Sequence, residues 1–394
     1  MKITFFSNFL NHHQIPFCDE LYRIHGDDFK FIAYQDVPES RIQLGYAGDL
    51  SRYPYLIESH KSPELAKKAL DLCETSDVVI FGETLKKYIF HRMHTNKLSF
   101  RYSERLFKKG ILYGFDPRVW VKRDLLDTRF RHKNIYLLAS SAYAAIDYNF
   151  FGAYRNKAFR WGYYPELIEY DLEELQNRKK NPTIQLLWVG RFIDWKHPEM
   201  AVNVILALKE RGIECHLKMI GVGPMLDKIK ESIIINNLSD DIELLGSIPA
   251  SKVRSYMESA NIFLMTSDRN EGWGAVMNEA MNSACACFAY YLVGAAPFLI
   301  SQGVNGVIYT SYHDLIDRLG ALIQNRNELM RLGEQAYLTI KDTWNAKIAA
   351  ERLTVLSKTL LYGGTFDFTD GPLSIAPRLT EKSMYQKIVN NRSS

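Results

Sequence analysis

Short apolar runs rich in β-branched and aromatic residues recur along this chain between longer segments with helical periodicity, and that alternation constrains the fold most. Each run is too short for a buried helix. It also lacks the apolar–polar alternation of a strand with one wet face, so it reads as a strand covered on both sides by the intervening helices. The chain is therefore expected to be α/β, with parallel sheets and helices on both faces. Candidate strands in the first half are 2–7, 29–34, 78–82, 111–114 and 135–140, and in the second half 184–189, 216–220, 242–245, 262–266, 285–290 and 306–309. At 394 residues the chain exceeds one ordinary domain. The polar stretch 169–182, closed by Pro182, reads as a linker. Two Rossmann-like doubly wound domains are expected, 1–168 and 182–360, with the tail from about 365 to 394 packing back on the first.

With 47% hydrophobic and 24% charged residues the sequence is that of a globular protein, and a net charge of +4 excludes a strongly basic nucleic-acid binder. The charge is uneven. Residues 84–133 hold fourteen Lys or Arg against four acids, a local +10, which leaves the remainder at −6. Tyr88, Phe90, Phe100, Tyr102 and Phe107 interleave these cations. The segment reads as a solvated face, a stacking surface for nucleic acid, or a patch drawn to an anionic membrane. Five scattered cysteines fit free thiols in a reducing compartment, and no C-x-x-C pair suggests zinc. The apolar start before Asn8 is too short for a signal peptide and reads as the first strand. Residues 284–300 carry no charge, yet Gly294 and Pro297 interrupt them, so a buried strand, a loop and a new helix explain them better than a membrane span.

Three motifs carry chemistry. In EGWGAVMNE, Glu271 and Glu279 flank a turn containing Gly272, Trp273 and Gly274. The glycines allow close backbone approach, and a helix opening near Ala275 aims unpaired N–H groups at a ligand. A helix N-terminus prefers an anion and carboxylates prefer hydroxyls; a sugar on a diphosphate offers both. In LLWVGRFIDWKHPE, a strand ends at Gly190 and is followed by Arg191 and Lys196, a planar fork and a mobile point charge for phosphate oxygens. In MIGVGPMLDKI, Gly221 and Gly223 make a glycine-containing turn after a strand. Taken singly these are ordinary: helix-surface acids, solvated cations, a tight connection. Together they fall at strand ends of one domain, where open α/β sheets bind ligands.

In this order the motifs, with LVGAAPFLISQGVNGVIY after them, resemble the retaining glycosyltransferases of family 4, which have the GT-B fold of two domains facing across a cleft. The resemblance is close over 184–309 and only in outline over the first half. It implies that Arg191 and Lys196 grip the donor diphosphate, that Glu271 contacts the transferred sugar and Glu279 the ribose, and that Gly190, Gly221, Gly223, Gly272, Trp273, Gly274 and Ala275 line the donor site. The family often has Gly-Gly after the first strand; here Asn11, His12 and His13 stand in a loop without glycine, and Gly after the Lys is replaced by His197. Asn11, His12, His13 and His94 become acceptor-side candidates, with His13 also a candidate catalytic group. No Asp-x-Asp occurs, so no metal and no cofactor is expected, only a UDP- or GDP-linked sugar as co-substrate.

The implied activity is retaining, hexosyltransferase-type transfer to a glycan or lipid-linked glycan in polysaccharide assembly. The expected location is cytoplasmic, with peripheral contact to an anionic membrane through 84–133 and no nucleic-acid partner. Two other readings share the motifs: a nucleotide-sugar epimerase, which would change its donor without acceptor, and a non-catalytic sugar-nucleotide-binding subunit of a glycan-assembly complex.

Overall fold

A computed structural model describes residues 1–39 and 50–390. The chain folds as two compact units, one of residues 1–166 and 343–379, the other of 167–342 and 380–394. The strands of the first are β1 (Ile3–Ser7), β2 (Phe29–Ala33), β3 (Leu56–Glu58), β4 (Val78–Phe81), β5 (Ser99–Ser103), β6 (Ile135–Ala139) and β7 (Ala158–Arg160), in the order β3-β2-β1-β4-β5-β6-β7. Those of the second are β8 (Ile184–Val189), β9 (Cys215–Ile220), β10 (Ile242–Gly246), β11 (Ile262–Met265), β12 (Ala286–Tyr290) and β13 (Gly306–Tyr309), in the order β10-β9-β8-β11-β12-β13. All pairings between these strands are parallel. Each sheet therefore changes winding direction once, at β1/β4 and at β8/β11, and the loops leaving those strands flank the crevice where doubly wound sheets take ligands.

The helices start where the sequence says they should. Pro63, Pro117 and Pro198 stand in first turns, and the Ser62, Asp116, Ser311 and Asn345 side chains accept from backbone N–H groups at their helix starts. The uncharged stretch 284–300 is buried β12, a turn and a short helix.

Several expectations need correction. Residues 111–114 are not a strand but part of a 3-10 helix, Ile111–Phe115, with Ile111 and Leu112 exposed. The strand in that region is β5, hidden in sequence because SFRYS is half polar; its Arg101 turns inward and donates to the Gly82 carbonyl at 2.8 Å. Strands β3 and β7 have three residues each, too few to show a pattern. The linker 169–182 contains a helix, Leu172–Arg178, capped by Asp171, with Leu175 buried beside Ala284 and Tyr337. Lys179 behind it is buried and donates to the Met257 and Ala260 carbonyls. The long helix Ala346–Tyr362 belongs to the first unit, where its Thr354 hydroxyl meets His25 Nε2 at 3.0 Å. The following stretch stays there, Arg160 N donating to the Ser374 carbonyl at 2.8 Å. The last helix, Glu381–Asn390, returns to the second unit, with Glu381 3.2 Å from Arg269.

The basic segment is only partly a solvated face. Arg92 is fully buried, and its guanidinium donates to the carbonyls of Cys73, Glu74, Ser76, Asp77 and Leu98. Burial pulls its pKa down to about 10, so it stays charged and draws together the end of helix Pro63–Thr75 and the start of β5. Arg123 is buried against Asp127 at 2.9 Å, and Arg105 lies 3.7 Å from Asp147. Replacing Arg92 with Met would leave these carbonyls without their donor and should cost the first unit about 3 kcal/mol, read as a lowered thermal transition. An unchanged transition would contradict this role.

Candidate donor site in the second unit

Strand β8 ends at Val189, and the chain turns sharply through Gly190 to Lys196. The turn is pinned to the one after β9. Gly190 N donates to the Ile220 carbonyl and Phe192 N to the Val222 carbonyl, both at 3.0 Å. A Cβ on Gly221 would lie 1.9 Å from the Gly190 oxygen, and one on Gly223 2.5 Å from the Phe192 oxygen, so both glycines are required by backbone packing. The turn after β11 is tied to the first by a chain of hydrogen bonds. Trp188 Nε1 donates to Thr266 Oγ1 at 2.8 Å, Thr266 Oγ1 donates to the Lys196 carbonyl at 2.6 Å, and Asp268 N donates to the Trp195 carbonyl at 3.0 Å.

Across the switch point these loops bring Lys196 Nζ and Glu271 Oε2 into a direct ion pair, with both side chains largely shielded. The Trp195 ring lies beneath, its centroid 4.7 Å from Lys196 Nζ and 5.8 Å from Arg191 Cζ. Arg191 itself is exposed. Gly272, Trp273 and Gly274 are buried. Gly274, at φ 97°, caps the helix Ala275–Asn282, and a side chain there would strike Met265. Trp273 Nε1 donates to Asn278 at 2.8 Å. Glu279 is half-buried in the second turn of that helix; burial raises its carboxyl pKa, with Arg254 opposing.

The structure thus brings Arg191, Lys196 and Glu271 together with Gly190, Gly221, Gly223 and the 272–275 turn, and places Glu279 on the helix that this turn starts. Trp195 and Thr266 are participants the sequence does not single out, and His197, noted there only as a departure from the family, also takes part. A lone Trp or Thr announces nothing before the loops are paired. His197 sits at φ 49°, with Nδ1 2.9 Å from Glu199 Oε1 and Nε2 3.5 Å from Asp268 Oδ2.

In the first unit, the loop after β1 carries the acceptor-side candidates. The Asn11 carbonyl accepts from Gln14 N and Ile15 N and starts the next helix. His13 stacks on Tyr163, centroids 4.2 Å apart, with His12 edge-on to it at 5.0 Å; the Tyr163 hydroxyl donates to Glu104 at 2.5 Å. His94 is not with them. It is exposed in the last turn of helix Lys86–Thr95, which follows β4 and runs back along the sheet, so it ends at the edge opposite the strands' carboxyl ends. Among the described residues Asp36, Glu58 and His60 bring ligand atoms within 4.8 Å of one another, but Lys61 Nζ already occupies Glu58 at 2.5 Å.

Residues 171–339 match the family model described as "Glycosyl transferases group 1". This stretch is similar to group 1 glycosyl transferases. Over 151 residues the chain is 33% identical to the uncharacterized glycosyltransferase MJ1178 of Methanocaldococcus jannaschii, covering 38% of this chain and 40% of that protein. Over 152 residues it is 27% identical to the amylovoran biosynthesis glycosyltransferase AmsK of Erwinia amylovora, covering 37% and 36%. The chain therefore spans about two fifths of the length of these curated relatives. The crystal structure of Anabaena HepE in complex with UDP aligns with 91% of this chain and all of that one, with a TM-score of 0.66 and 13% identity. HepE has also been crystallised with UDP-glucose. At that identity the likeness speaks to the fold, which is GT-B: two Rossmann-like units.

Two outcomes follow for the second unit. Because Lys196 and Glu271 neutralise each other in a shielded place, Lys196→Met should destabilise it more than Lys196→Met combined with Glu271→Gln. A double-mutant cycle should give a coupling of about 2 kcal/mol, and a coupling near zero would refute the pairing. The Glu199 hydrogen bond raises the His197 pKa against the effect of burial. Its stabilisation is present below the unfolded value of about 6.5 and is lost as pH rises through the raised folded value. His197→Gln should flatten that loss in thermal scans taken from pH about 6 to 8.

Proposed function

We propose that this chain is a retaining, hexosyltransferase-type glycosyltransferase that moves a sugar from a nucleoside-diphosphate donor to an acceptor hydroxyl in polysaccharide assembly. The observation that carries the reading is the Lys196–Glu271 pair at the β8/β11 switch point, with Arg191 on the same Trp195 ring. The two members of the pair hold opposite recognition groups in balance. An arriving diphosphate takes the ammonium, and the released Glu271 carboxylate accepts hydrogen bonds from the sugar's hydroxyls. Arg191 adds a fork for the phosphate oxygens, the N–H groups of the Gly274–Ala275 helix start face the same anion, and Glu279 is assigned to the ribose.

In the reaction the bond from the sugar's anomeric carbon to the diphosphate oxygen breaks, and a bond from that carbon to the acceptor oxygen forms on the same face. The departing diphosphate oxygen takes the acceptor proton, and Arg191 and Lys196 stabilise the charge that grows there. No protein base is needed for that transfer. Acceptor recognition is assigned to the first unit around His12 and His13, with a glycan or lipid-linked glycan as acceptor at the cytoplasmic face of a membrane. No described helix is long and apolar enough to cross one. The nucleotide sugar is a co-substrate, UDP- or GDP-linked. UDP is the first to try, because HepE was crystallised with it.

Lys196→Ala and Glu271→Ala should each lower transfer by about a hundredfold, some 3 kcal/mol in the barrier, while the fold persists by circular dichroism. Near-wild-type turnover by either folded variant would remove the assignment. UDP should raise the thermal transition of the intact chain by mass action, and less in the Lys196 variant.

A further inference from the structure

In the first unit, helix 3-10 Ile111–Phe115 and helix Pro117–Leu126 leave a concentrated apolar face in solvent. Leu112 is 80% exposed and Phe115 64%, and Ile111, Tyr113, Trp120 and Val121 are exposed around them. The scaffold beneath is firm: Phe107, Val119 and Phe151 form a buried cluster of their own, Trp120 packs edge-on to Phe151 at 5.0 Å, and Gly114 lies so close to the Phe107 ring that a Cβ would sit 2.8 Å from it. The outward position of these side chains is thus set by packing on the inner side of the same elements.

Cations ring the face. Lys109, Arg118 and Lys122 are exposed, and Lys108 flanks them, paired with Glu104. Asp116, the acid within the face, is engaged by Arg118 at 2.7 Å and by the Arg118 backbone N–H. Other arginines of the basic segment, Arg92, Arg105 and Arg123, are buried; of its exposed cations, Lys109, Arg118 and Lys122 stand beside the apolar side chains, and Lys86, Lys87, Lys97, Arg129 and Arg131 lie elsewhere in the segment.

We propose that residues 108–122 form a docking face for an anionic lipid surface, with Leu112 and Phe115 entering the headgroup–acyl boundary and Lys109, Arg118 and Lys122 meeting lipid phosphates. Apolar insertion and cationic attraction are each weak alone, and together they give reversible attachment. A second copy of the chain fits the face poorly, because symmetric pairing would set these cations against one another. Nucleic acid fits poorly as well, since Leu112, the most exposed of these side chains, and Ile111 and Val121 are aliphatic, and Phe115 and Trp120 already pack edge-on against Phe150 and Phe151. This deepens the reading above, whose acceptor is lipid-linked, and rests on it for its purpose.

The test is flotation of the intact chain with vesicles, one set of phosphatidylcholine and one of phosphatidylcholine mixed with phosphatidylglycerol, with no nucleotide sugar present. The chain should float with the anionic vesicles and not with the neutral ones. Leu112→Ser with Phe115→Ser, both solvent-facing, should lower binding by about tenfold or more at an unchanged thermal transition. Lys109→Glu with Lys122→Glu should remove the preference for phosphatidylglycerol. Equal binding to both vesicle types, undiminished binding by the serine variant, or concentration-dependent dimerisation lost in that variant would each overturn the proposal. Because binding is scored without donor, failure of the sugar-transfer reading would show in turnover and leave this measurement unaffected.

Discussion

An ammonium and a carboxylate held together at the β8/β11 switch point organise the second unit's candidate site. The sheet makes the place available. Because β8 connects to one side and β11 to the other, no crossover helix covers the gap between their carboxyl ends, and the two loops there must satisfy each other. They do so through Trp188, Thr266 and the Lys196 carbonyl, which fix the backbone before any side chain reaches outward. A cation on one loop and an acid on the other then close the gap electrostatically. The pair is shielded and not deeply buried, which leaves it open to competition from the diphosphate and sugar hydroxyl of the proposed donor.

The close backbone contacts explain which glycines matter. Gly221 and Gly223 were read as members of a ligand-binding turn, and the structure shows a more direct cause: their Cβ positions are occupied by carbonyls of the neighbouring loop. They shape the site by letting the β9 turn lie flush against the β8 turn, whereas Gly274, in left-handed conformation under Met265, lets the 271–274 turn tighten onto its helix.

The second unit was more legible than the first for a physical reason. Strands β8, β11, β12 and β13 are largely buried and mostly apolar, and even β9 and β10, which carry His216, Lys218 and Glu243, keep enough apolar residues to stand out. In the first unit β5 carries Arg101 inward, and β3 and β7 have three residues each, so hydrophobic pattern had little to register. The exposed Ile111–Phe115 mimicked the missing strand because sequence shows apolarity without showing which side is wet. That Lys196 and Glu271 fall at strand ends of one domain was legible in sequence; their direct ion pair was not. The parts played by Trp195, Thr266 and His197 were not legible either, because each depends on a partner about 70 residues away in sequence: Asp268 for Trp195 and His197, Lys196 for Thr266.

Charge in the first unit shows the same limit from the other side. Counting residues gives 84–133 a uniform +10, yet an arginine paired with an aspartate is neutralised, and one buried among carbonyls presents no side chain to a ligand. Arg92 acts as a clasp among backbone oxygens and Arg123 as the partner of Asp127. Among the cations that do reach the surface, Lys109, Arg118 and Lys122 coincide with the exposed apolar side chains. A soluble surface gains nothing from gathering Leu112, Phe115 and Trp120 in one place, since each would be accommodated at less cost if scattered. Gathered and ringed by lysines, they match a medium that is anionic at its border and apolar a few ångströms beneath.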